Sequence, residues 1–260
     1  MKLARVEYEG QVCAAMVLEG GYRFLSPERW AGLEVAAEEA TLLPPAAPGK
    51  ILGVGWNFRG HIKEMWTRAA GAEVAEEKAR QMPAPLFFLK PSSSLIGAGD
   101  AIIYPKDATR VEYEGELAVV IGEKVRRVTP EEAAAAVLGW TCANDVTERD
   151  QQGKDKQWWR AKGYDTFAVA GPYLETQAPA ADAWIRTRVN GEERQAAQVK
   201  DMIRDPYTII SLISQAMTLY PGDLIMLGTP DGVGELHPGD EVEVEIDGIG
   251  LLRNPVVLEA

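Results

Sequence analysis

The chain has 260 residues, of which 46% are hydrophobic and 25% charged, a balance typical of a folded globular protein. Its 39 acidic and 27 basic residues give a net charge of −12. This charge argues against nucleic acid or an anionic membrane as a partner. A small anionic substrate remains compatible with it if local cations or a metal ion offset the field.

Compartment and metal chemistry are restricted by what the sequence lacks. No apolar run is long enough to span a bilayer, and the first ten residues, MKLARVEYEG, lack the apolar core of a signal peptide. Cys13 and Cys142 are too few for a disulfide framework, so we expect a cytoplasmic location. With only His61 and His237, a zinc site built from three histidines is excluded.

The first segment is predicted to be a small strand-rich unit followed by a linker. Residues 3–25 alternate in polarity, and tight turns at Glu9-Gly10 and Gly20-Gly21 separate short strands. The stretch LLPPAAPG at 42–49 is rich in proline, alanine and glycine and is typical of a linker. We therefore predict a small N-terminal domain with its linker over residues 1–48 and a larger domain over 49–260.

The larger domain is predicted to begin with a buried strand at 50–57 and a polar helical segment. From residue 58 to 80 the composition turns to alanine, glutamate, lysine and arginine, which indicates helix, although Gly60 and Gly71 interrupt it. A helix fixed in a core is usually more apolar, so we expect residues 58–83 to form a mobile covering segment. Strands are predicted to follow at 86–91, 101–105 and 116–122.

The second half combines two well-marked helices with further strands. Each helix starts with a capping residue and a proline, and the two are predicted at 129–140 and 205–217. A hairpin is predicted around Asn190-Gly191. The segments 221–227 and 238–246 each begin with PGD, which is predicted to form a turn that leads into a strand. Together these elements predict an α+β fold in which strands dominate.

The hexapeptide RVEYEG occurs at 5–10 and again at 110–115, and we interpret the recurrence as coincidence because the following sequences diverge at once. In the second copy and just after it, Glu112, Glu114 and Glu116 are predicted to share one strand face, roughly 6–7 Å apart. Adjacent carboxylates would repel by about 2.5 kcal/mol at an effective dielectric constant of about 20. The apolar run LAVVI follows, which places Glu116 near the core. A divalent metal site and an exposed acidic strand both explain this pattern.

Four further side chains and one loop are candidates for a site, and each has an ordinary structural alternative. Asp145 is either a turn residue or a buried acid at a strand end. Lys162, among aromatic residues, is either a surface lysine or a cation that balances acids beside an anionic ligand. His61 and Glu64 project from one helix face, either as an exposed pair or as a base oriented by a carboxylate. The loop LGTPDGVG at 227–234 suits close backbone approach to a ligand, but it lacks the ending of a P-loop.

Eight segments occur in an order that extends far beyond one motif. They are GWNFRGHIKE, FFLKPSSSLIG, VEYEGELAVVIG, GWTCANDVTERDQQ, QWWRAKGYDTFAVAGPYL, RVNGE, MIRDPYTIISLISQAMTLYPGDLIMLGTPDGVG and GDEVEVEIDGIGLLRNPV. This order resembles the fumarylacetoacetate hydrolase family over about residues 50–256. The resemblance implies a mixed β-roll or β-sandwich catalytic domain over 49–260, a homodimer, and Mg2+ or Mn2+ bound at the centre of the domain.

The resemblance also implies roles for individual residues. Three carboxylates match the family's metal ligands: Glu114, Glu116 and Asp145. Glu112 falls one step outside this set, as a bystander.

A catalytic dyad and a lysine near the metal are implied in the same way: His61 and Glu64 match the dyad, on a lid that closes over the substrate, and Lys162 matches the lysine. The positions that face the substrate are Arg149, Gln152 and Thr229. The stretch from Trp66 to Pro83 departs from the simplest family pattern because it is long and charged. That departure leaves lid closure and substrate size open, while the metal site is unaffected.

Family substrates are typically 2-oxo or 2-hydroxy-dienoic acids, and the resemblance implies a metal-stabilised enolate that C–C hydrolysis, decarboxylation and isomerisation share. Our leading hypothesis is isomerisation of 2-hydroxyhepta-2,4-diene-1,7-dioate in bacterial aromatic catabolism, with or without decarboxylation of its tricarboxylate precursor. Alternatives are an acylpyruvate or fumarylpyruvate hydrolase and an oxaloacetate decarboxylase or tautomerase. From another class, a divalent-ion-binding β-protein with a decayed site is the competing hypothesis.

Overall fold

Strands dominate the computed structural model, which describes residues 1–81 and 84–260. The helices are α1 (Arg59–Ala70), α2 (Ala72–Gln81), α3 (Pro130–Ala135), α4 (Arg149–Lys154), α5 (Trp159–Lys162) and α6 (Pro206–Ala216). The strands are β1 (Lys2–Tyr8), β2 (Gln11–Leu18), β3 (Gly21–Phe24), β4 (Glu34–Ala36), β5 (Thr41–Leu43), β6 (Ile51–Gly55), β7 (Leu86–Lys90), β8 (Leu95–Ile96), β9 (Ile102–Tyr104), β10 (Val111–Tyr113), β11 (Gly115–Ile121), β12 (Val137–Asp145), β13 (Thr147–Glu148), β14 (Ala168–Glu175), β15 (Trp184–Val189), β16 (Glu192–Gln198), β17 (Leu224–Met226), β18 (Gly234–Glu235), β19 (Glu241–Ile246) and β20 (Gly250–Leu258). The predicted strand-dominated α+β fold is confirmed.

The strands of the described ranges form three sheets. The largest has the order β4-β3-β2-β1-β14-β12-β11-β17-β6-β7, with β5 paired to β1 and β8 paired to β14. A second sheet has the order β16-β15-β19-β20-β9, and a third has the order β13-β10-β18. Most neighbours are antiparallel, while β6 with β17, β8 with β14 and β9 with β20 are parallel.

The main core lies between the largest sheet and the five-stranded sheet. Leu117 and Val119 of β11 pack there in one cluster with Ile185 of β15 and Val244 of β19. The alternate β11 residue Val120 belongs to a second cluster on the opposite face of the sheet. Because side chains alternate along a strand, β11 is buried on both faces, which explains its uninterrupted apolar sequence.

Strands β1 to β5 surround a small cluster of their own, which includes Val6, Cys13 and Phe24. They join the rest of the sheet where β1 pairs antiparallel with β14, through Lys2 with Glu175 and Leu3 with Leu174. The division into residues 1–48 and 49–260 stays a prediction.

Three predictions that rest on local signals are confirmed. Helix α6 begins after Asp205, whose carboxylate accepts hydrogen bonds from the N–H groups of Tyr207 and Thr208, both at 3.0 Å. The hairpin around Asn190-Gly191 is formed by β15 and β16. The segment from residue 58 is helical, and Gly71 at φ +87° separates α1 from α2. Across residues 1–81 and 84–260, every helix falls short of the length and hydropathy that a membrane crossing demands.

The helix predicted over 129–140 is wrong in its second half. Thr129 caps α3 as expected, because its hydroxyl accepts a hydrogen bond from the Glu132 N–H. The helix ends at Ala135, and Val137 starts β12, which pairs with β11 on one side and β14 on the other. Hydrogen bonds to two neighbouring strands outweigh the helical tendency of the local alanines.

The single strand face predicted for three glutamates is also wrong. Glu112 lies in β10, which pairs with β13 and β18 in the three-stranded sheet, whereas Glu116 lies in β11 of the largest sheet. Glu114 falls between the two strands, where the chain passes from one sheet to the other. At this crossing a Cβ atom on Gly115 would lie 1.9 Å from Thr187 Oγ1, so only glycine fits.

Candidate active site

Three acids converge at the crossing between the sheets. Glu114 precedes β11, Glu116 lies within it, and Asp145 ends β12, the strand that pairs antiparallel with β11. One carboxylate oxygen of each lies within 4.8 Å of the others, and all three side chains are buried. The structure therefore brings together the three residues that the sequence analysis named as metal ligands, and we call them the acid triad.

Backbone and amide groups fix the acid triad in place. The Asn144 side chain accepts a hydrogen bond from the Glu114 N–H at 2.9 Å. The Asp145 N–H donates to the carbonyl oxygen of Glu114, also at 2.9 Å. The Gly228 N–H donates to Glu116 Oε2 at 2.6 Å, which ties the loop 227–234 to the triad. These contacts orient the carboxylates but leave some of their oxygen lone pairs free to accept further hydrogen bonds or to bind a cation.

Two fully buried lysines contact the acid triad. Lys162 of α5 donates from Nζ to Glu114 Oε2 at 2.7 Å and to Asp145 Oδ2 at 2.6 Å. Lys90, at the end of β7, donates to the other Asp145 oxygen and to the carbonyl of Val146 at 3.1 Å. Lys162 was a predicted site residue, whereas Lys90 was not. The available signal was a lysine that closes the apolar strand LFFLK, a position that surface lysines also occupy.

The negative charges of the acid triad are not equally compensated by neighbouring cations. Burial raises the pKa of Glu114, but the adjacent Lys162 and Arg149 outweigh it and hold that pKa well below its usual range. The pKa of Glu116 is raised instead, by burial and by the neighbouring Asp145 and Glu114. Among the described residues Glu116 forms no ion pair, so its carboxylate is the one that lacks a cation.

This donor set fits a hard divalent cation. Mg2+ and Mn2+ prefer oxygen ligands, and two or three protein carboxylates suffice because such ions retain water. A buried carboxylate without a cation is costly, and a divalent ion among the three acids would remove that cost. Glu114, Glu116 and Asp145 are therefore the residues suited to hold the metal.

Arg149 connects the triad to neighbouring groups. It lies in α4, where its Nη2 donates to Glu114 Oε1 at 2.7 Å and its Nη1 donates to Gln152 Oε1 at 2.7 Å. Its Nε donates to Glu112 Oε2 at 2.8 Å. Glu112 lies outside the acid triad, as predicted, but it is fully buried and is no exposed bystander.

The predicted dyad lies on α1. His61 is 8% exposed, and its Nδ1 lies 3.9 Å from Glu64 Oε2, beyond hydrogen-bond reach. No other group in the described chain bonds to that nitrogen. Glu64 accepts hydrogen bonds from the Gly232 N–H at 3.0 Å and from Arg68 at 2.7 Å. Burial would raise the pKa of Glu64, but His61, Arg68 and the Gly232 N–H outweigh burial and lower it.

The predicted lid corresponds to α1 and α2, which pack against each other. Of the segment 58–83, Met82 and Pro83 lie outside the described residues. The mobility of this segment stays a prediction.

Thr229 and Gln195 join the loop 227–234 to the start of β11. The Thr229 hydroxyl donates to the carbonyl of Gly115 at 3.0 Å and accepts from Gln195 Nε2 at 2.9 Å. Gln195 also accepts from the Gly115 N–H at 3.0 Å and donates to the Pro230 carbonyl at 2.8 Å. The sequence analysis missed Gln195, because a glutamine in a predicted hairpin strand carries no distinguishing signal.

A cavity of about 540 Å³ opens beside these residues. Its apolar wall includes Trp56, Trp66, Phe88 and Trp158. The predicted residues that reach it are His61, Glu114, Arg149, Gln152, Lys162 and Thr229. Arg68 and Arg110 also line it, so four cationic side chains face one carboxylate. Each of these cations also pairs with a carboxylate at or behind the wall, so the cavity offers cationic N–H donors that ion pairs hold in place.

Similarity to known proteins extends over nearly the whole chain. The family model described as fumarylacetoacetate (FAA) hydrolase C-terminal matches residues 50–257. An oxaloacetate tautomerase from mitochondria of Rattus norvegicus is 38% identical over 227 residues, which cover 83% of this chain and 69% of the relative.

Solved structures show the same architecture. A 2-hydroxyhepta-2,4-diene-1,7-dioate isomerase from Mycobacterium marinum superposes with a TM-score of 0.87 at 36% identity, covering 100% of this chain and 99% of the other. A maleylpyruvate hydrolase from Sphingobium sp. SYK-6, in complex with manganese(II) and pyruvate, superposes with a TM-score of 0.80 at 26% identity, covering 100% of both chains. The extent of these matches and the order of the motifs lead to one conclusion: the chain belongs to the fumarylacetoacetate hydrolase family.

Proposed function

We propose that the protein is a divalent-metal-dependent enzyme that acts on 2-oxo or 2-hydroxy-dienoic diacids through an enolate. Its main reaction is the isomerisation of 2-hydroxyhepta-2,4-diene-1,7-dioate in aromatic catabolism, with decarboxylation of the tricarboxylate precursor as an additional activity. The observation that carries this proposal is the buried acid triad beside a cavity in which four cationic side chains face one carboxylate. A cytoplasmic homodimer that uses Mg2+ or Mn2+ completes the proposal, on the strength of the family resemblance.

The substrate-binding role falls to the cations of the cavity. Arg149 and Lys162 are both held against Glu114, so their positions are fixed before substrate arrives. Fixed donors stabilise developing negative charge well because they do not reorganise during the reaction. Gln152, bonded to Arg149, adds an amide at the same wall. A bound Mg2+ or Mn2+ held by the acid triad supplies Lewis acidity toward the 2-oxo group.

Proton movement falls to the His61 imidazole, which lines the cavity. Isomerisation of a 2-hydroxy-diene removes the proton of the 2-hydroxyl group and adds a proton at a carbon of the diene, so one group that both accepts and donates can carry out both transfers. An imidazole does both near neutral pH. Glu64 Oε2 lies 3.9 Å from the imidazole Nδ1 on the same helix.

Oxaloacetate tautomerisation is the second candidate. It is supported by the similarity to the Rattus norvegicus tautomerase, and it uses the same proton transfer on a shorter diacid. A hydrolase of the maleylpyruvate type is a third alternative, supported by the Sphingobium structure.

The test is incubation of the protein with Mg2+ or Mn2+ and a panel of 2-oxo and 2-hydroxy-dienoic diacids, with products identified by mass. Unchanged mass with altered absorbance supports isomerisation, loss of CO2 indicates decarboxylation, and cleavage after addition of water indicates hydrolysis. Absence of any reaction, with metal bound, would favour the non-enzymatic ion-binding protein.

His61→Ala tests the assigned proton carrier. We expect metal binding to persist while turnover falls by about 100-fold or more. His237, the second histidine, is 67% exposed and serves as the matched control, because His237→Ala should leave turnover unchanged. Turnover of His61→Ala near the wild-type rate would remove His61 from this role.

A further inference from the structure

Glu112 holds three arginines that come from three segments of the chain. Its carboxylate is fully buried. Arg149 of α4 donates to Oε2 at 2.8 Å, and Arg68 of α1 donates to Oε1 at 3.4 Å. Arg110, directly before β10, forms an ion pair with the same Oε1. One buried carboxylate thus contacts side chains from α1, from the residue before β10 and from α4.

Arg68 of α1 links Glu112 to the predicted dyad. Arg68 Nη2 donates to Glu64 Oε1 at 2.7 Å and to the carbonyl of Val233 at 3.0 Å. Arg68 is therefore the side chain through which α1 meets both Glu112 and the loop 227–234. Glu64 and His61 lie on the same helix, so Arg68 holds them in place together with the hydrogen bond from the Gly232 N–H to Glu64.

Arg149 of α4 links Glu112 to the acid triad. Arg149 bonds Glu112 through Nε and Glu114 through Nη2. A guanidinium group is rigid and planar, so a change in the direction of one bond changes the direction of the other. The path Glu64–Arg68–Glu112–Arg149–Glu114 is thus continuous in ion pairs and hydrogen bonds.

We propose that Glu112 is a positioning residue that couples the docking of α1, through Arg68, to the orientation of Arg149. When α1 is docked, Arg68 and Arg110 bind Oε1 of Glu112 and leave Oε2 to Arg149. When α1 moves away, Oε1 loses Arg68 but keeps Arg110, so the carboxylate is held less firmly and its bond to Arg149 Nε fixes the direction of Arg149 less well. The kinetic consequences rest on the proposed function, whereas the mechanical coupling does not.

The experiment combines hydrogen exchange, metal binding and kinetics in Glu112→Gln, Arg68→Gln and the double variant. Amides of residues 59–70 are expected to exchange faster in each single variant. The double variant should exchange no faster than the faster single one, because both substitutions break the same connection. The kcat is expected to fall by between about 10- and 100-fold, the range for misplaced catalytic groups. Mn2+ affinity should stay within about threefold of wild type, since Glu112 is not among the predicted ligands.

Three variants serve as controls. Glu7→Gln changes the matching residue of the first RVEYEG copy, which is exposed, and should change neither exchange nor turnover. Lys63→Gln changes an exposed α1 residue that pairs with Glu76, and should not change turnover. If Glu112→Gln does not fold, Arg68→Lys replaces it: lysine keeps the charge, but its single nitrogen cannot take the places of both Nη1, which reaches Glu112, and Nη2, which reaches Glu64 and Val233, so exchange of α1 should again rise and kcat fall.

Three outcomes would overturn the proposal. One is unchanged exchange of residues 59–70 in Glu112→Gln, or in Arg68→Lys where the former does not fold. Another is strictly additive exchange effects in the double variant. The last is a loss of Mn2+ affinity that parallels the loss of turnover, which would make Glu112 a ligand. If the wild type turns over no diacid of the panel, the proposed function fails, while exchange and Mn2+ binding still decide the coupling.

Discussion

The hexapeptide RVEYEG is placed in two different settings within one chain. At residues 5–10 it forms the end of β1 and a turn, in which Glu9 and Gly10 have positive φ. At residues 110–115 it forms β10 and the crossing into β11. The glutamates of the first copy are exposed, whereas Glu112 and Glu114 of the second are buried.

The apolar position behaves alike in both copies, and the polar positions do not. Val6 and Val111 are both 0% exposed. Arg5 donates to two backbone carbonyls, of Pro44 and Ala46, both at 2.9 Å, whereas Arg110 pairs with Glu112. Local sequence therefore fixes strand formation and the inward face, while the surrounding sheets decide whether a glutamate meets water or arginine and lysine.

The largest expected contrast is between Glu114→Gln and Glu9→Gln, which change the same position of the hexapeptide. Glu114→Gln removes a charged oxygen ligand, so we expect loss of Mn2+ binding and a fall in turnover of about 1000-fold or more. Glu9→Gln changes an exposed turn residue and should leave both properties intact. Titration calorimetry with Mn2+ and steady-state kinetics measure the two effects.

Thermal unfolding provides a second measurement of that contrast. Added Mn2+ should raise the Tm of the wild type and of Glu9→Gln, because a ligand that binds the folded state stabilises it. It should leave the Tm of Glu114→Gln unchanged. A retained Mn2+-dependent rise in Glu114→Gln would contradict the assignment of Glu114 to the metal site.

A smaller contrast is expected between Gly115→Ala and Gly10→Ala. A Cβ on Gly115 would overlap Thr187 Oγ1 at 1.9 Å, and overpacking of this kind lowers the free energy of unfolding by about 3 kcal/mol. Gly10 has open space around it but a φ of +73°, so alanine there should cost about 1 kcal/mol. Urea denaturation of both variants measures the difference. Equal losses would show that the crossing tolerates a side chain.

The smallest contrast is expected between Val111→Ala and Val6→Ala. Both valines are fully buried, so each substitution should lower the free energy of unfolding by about 2 kcal/mol, from lost transfer energy and a small cavity. Denaturant curves of the two variants should therefore shift by similar amounts. A loss in one variant more than about twice that in the other would mean that the two copies differ in core packing as well as in charge.

Local features of the structure were predictable from sequence because their causes are local. The Asp205 cap and the Asn190-Gly191 hairpin each depend on residues within one turn. The family motifs identified the carboxylates of the acid triad and the dyad helix, since they join distant segments in a fixed order. The structure shows in addition that the pairing of β11 with β12 brings Asp145 next to Glu114.

The remaining features depend on contacts between distant segments. The break at Glu114 arises because β10 and β11 belong to different sheets, which no local pattern marks. Lys90 looks like a strand-end lysine until Asp145 is placed beside it. Glu112 looks like one more strand glutamate until Arg68, 44 residues away, is folded onto it. The helix predicted over 129–140 was too long because β12 was stabilised by two neighbouring strands.

The narrow connection between β1 and β14 has a consequence for how the protein unfolds. In the described structure the ladder pairs across it are Lys2 with Glu175 and Leu3 with Leu174, and the strands beyond it pack around a separate cluster that Tyr173 of β14 also contacts. Cooperative units follow contiguous packing, so strands β1 to β5 are expected to open at a lower free energy than the strands around β11. The largest sheet is continuous in hydrogen bonding, but in thermodynamic terms we expect it to behave as two units.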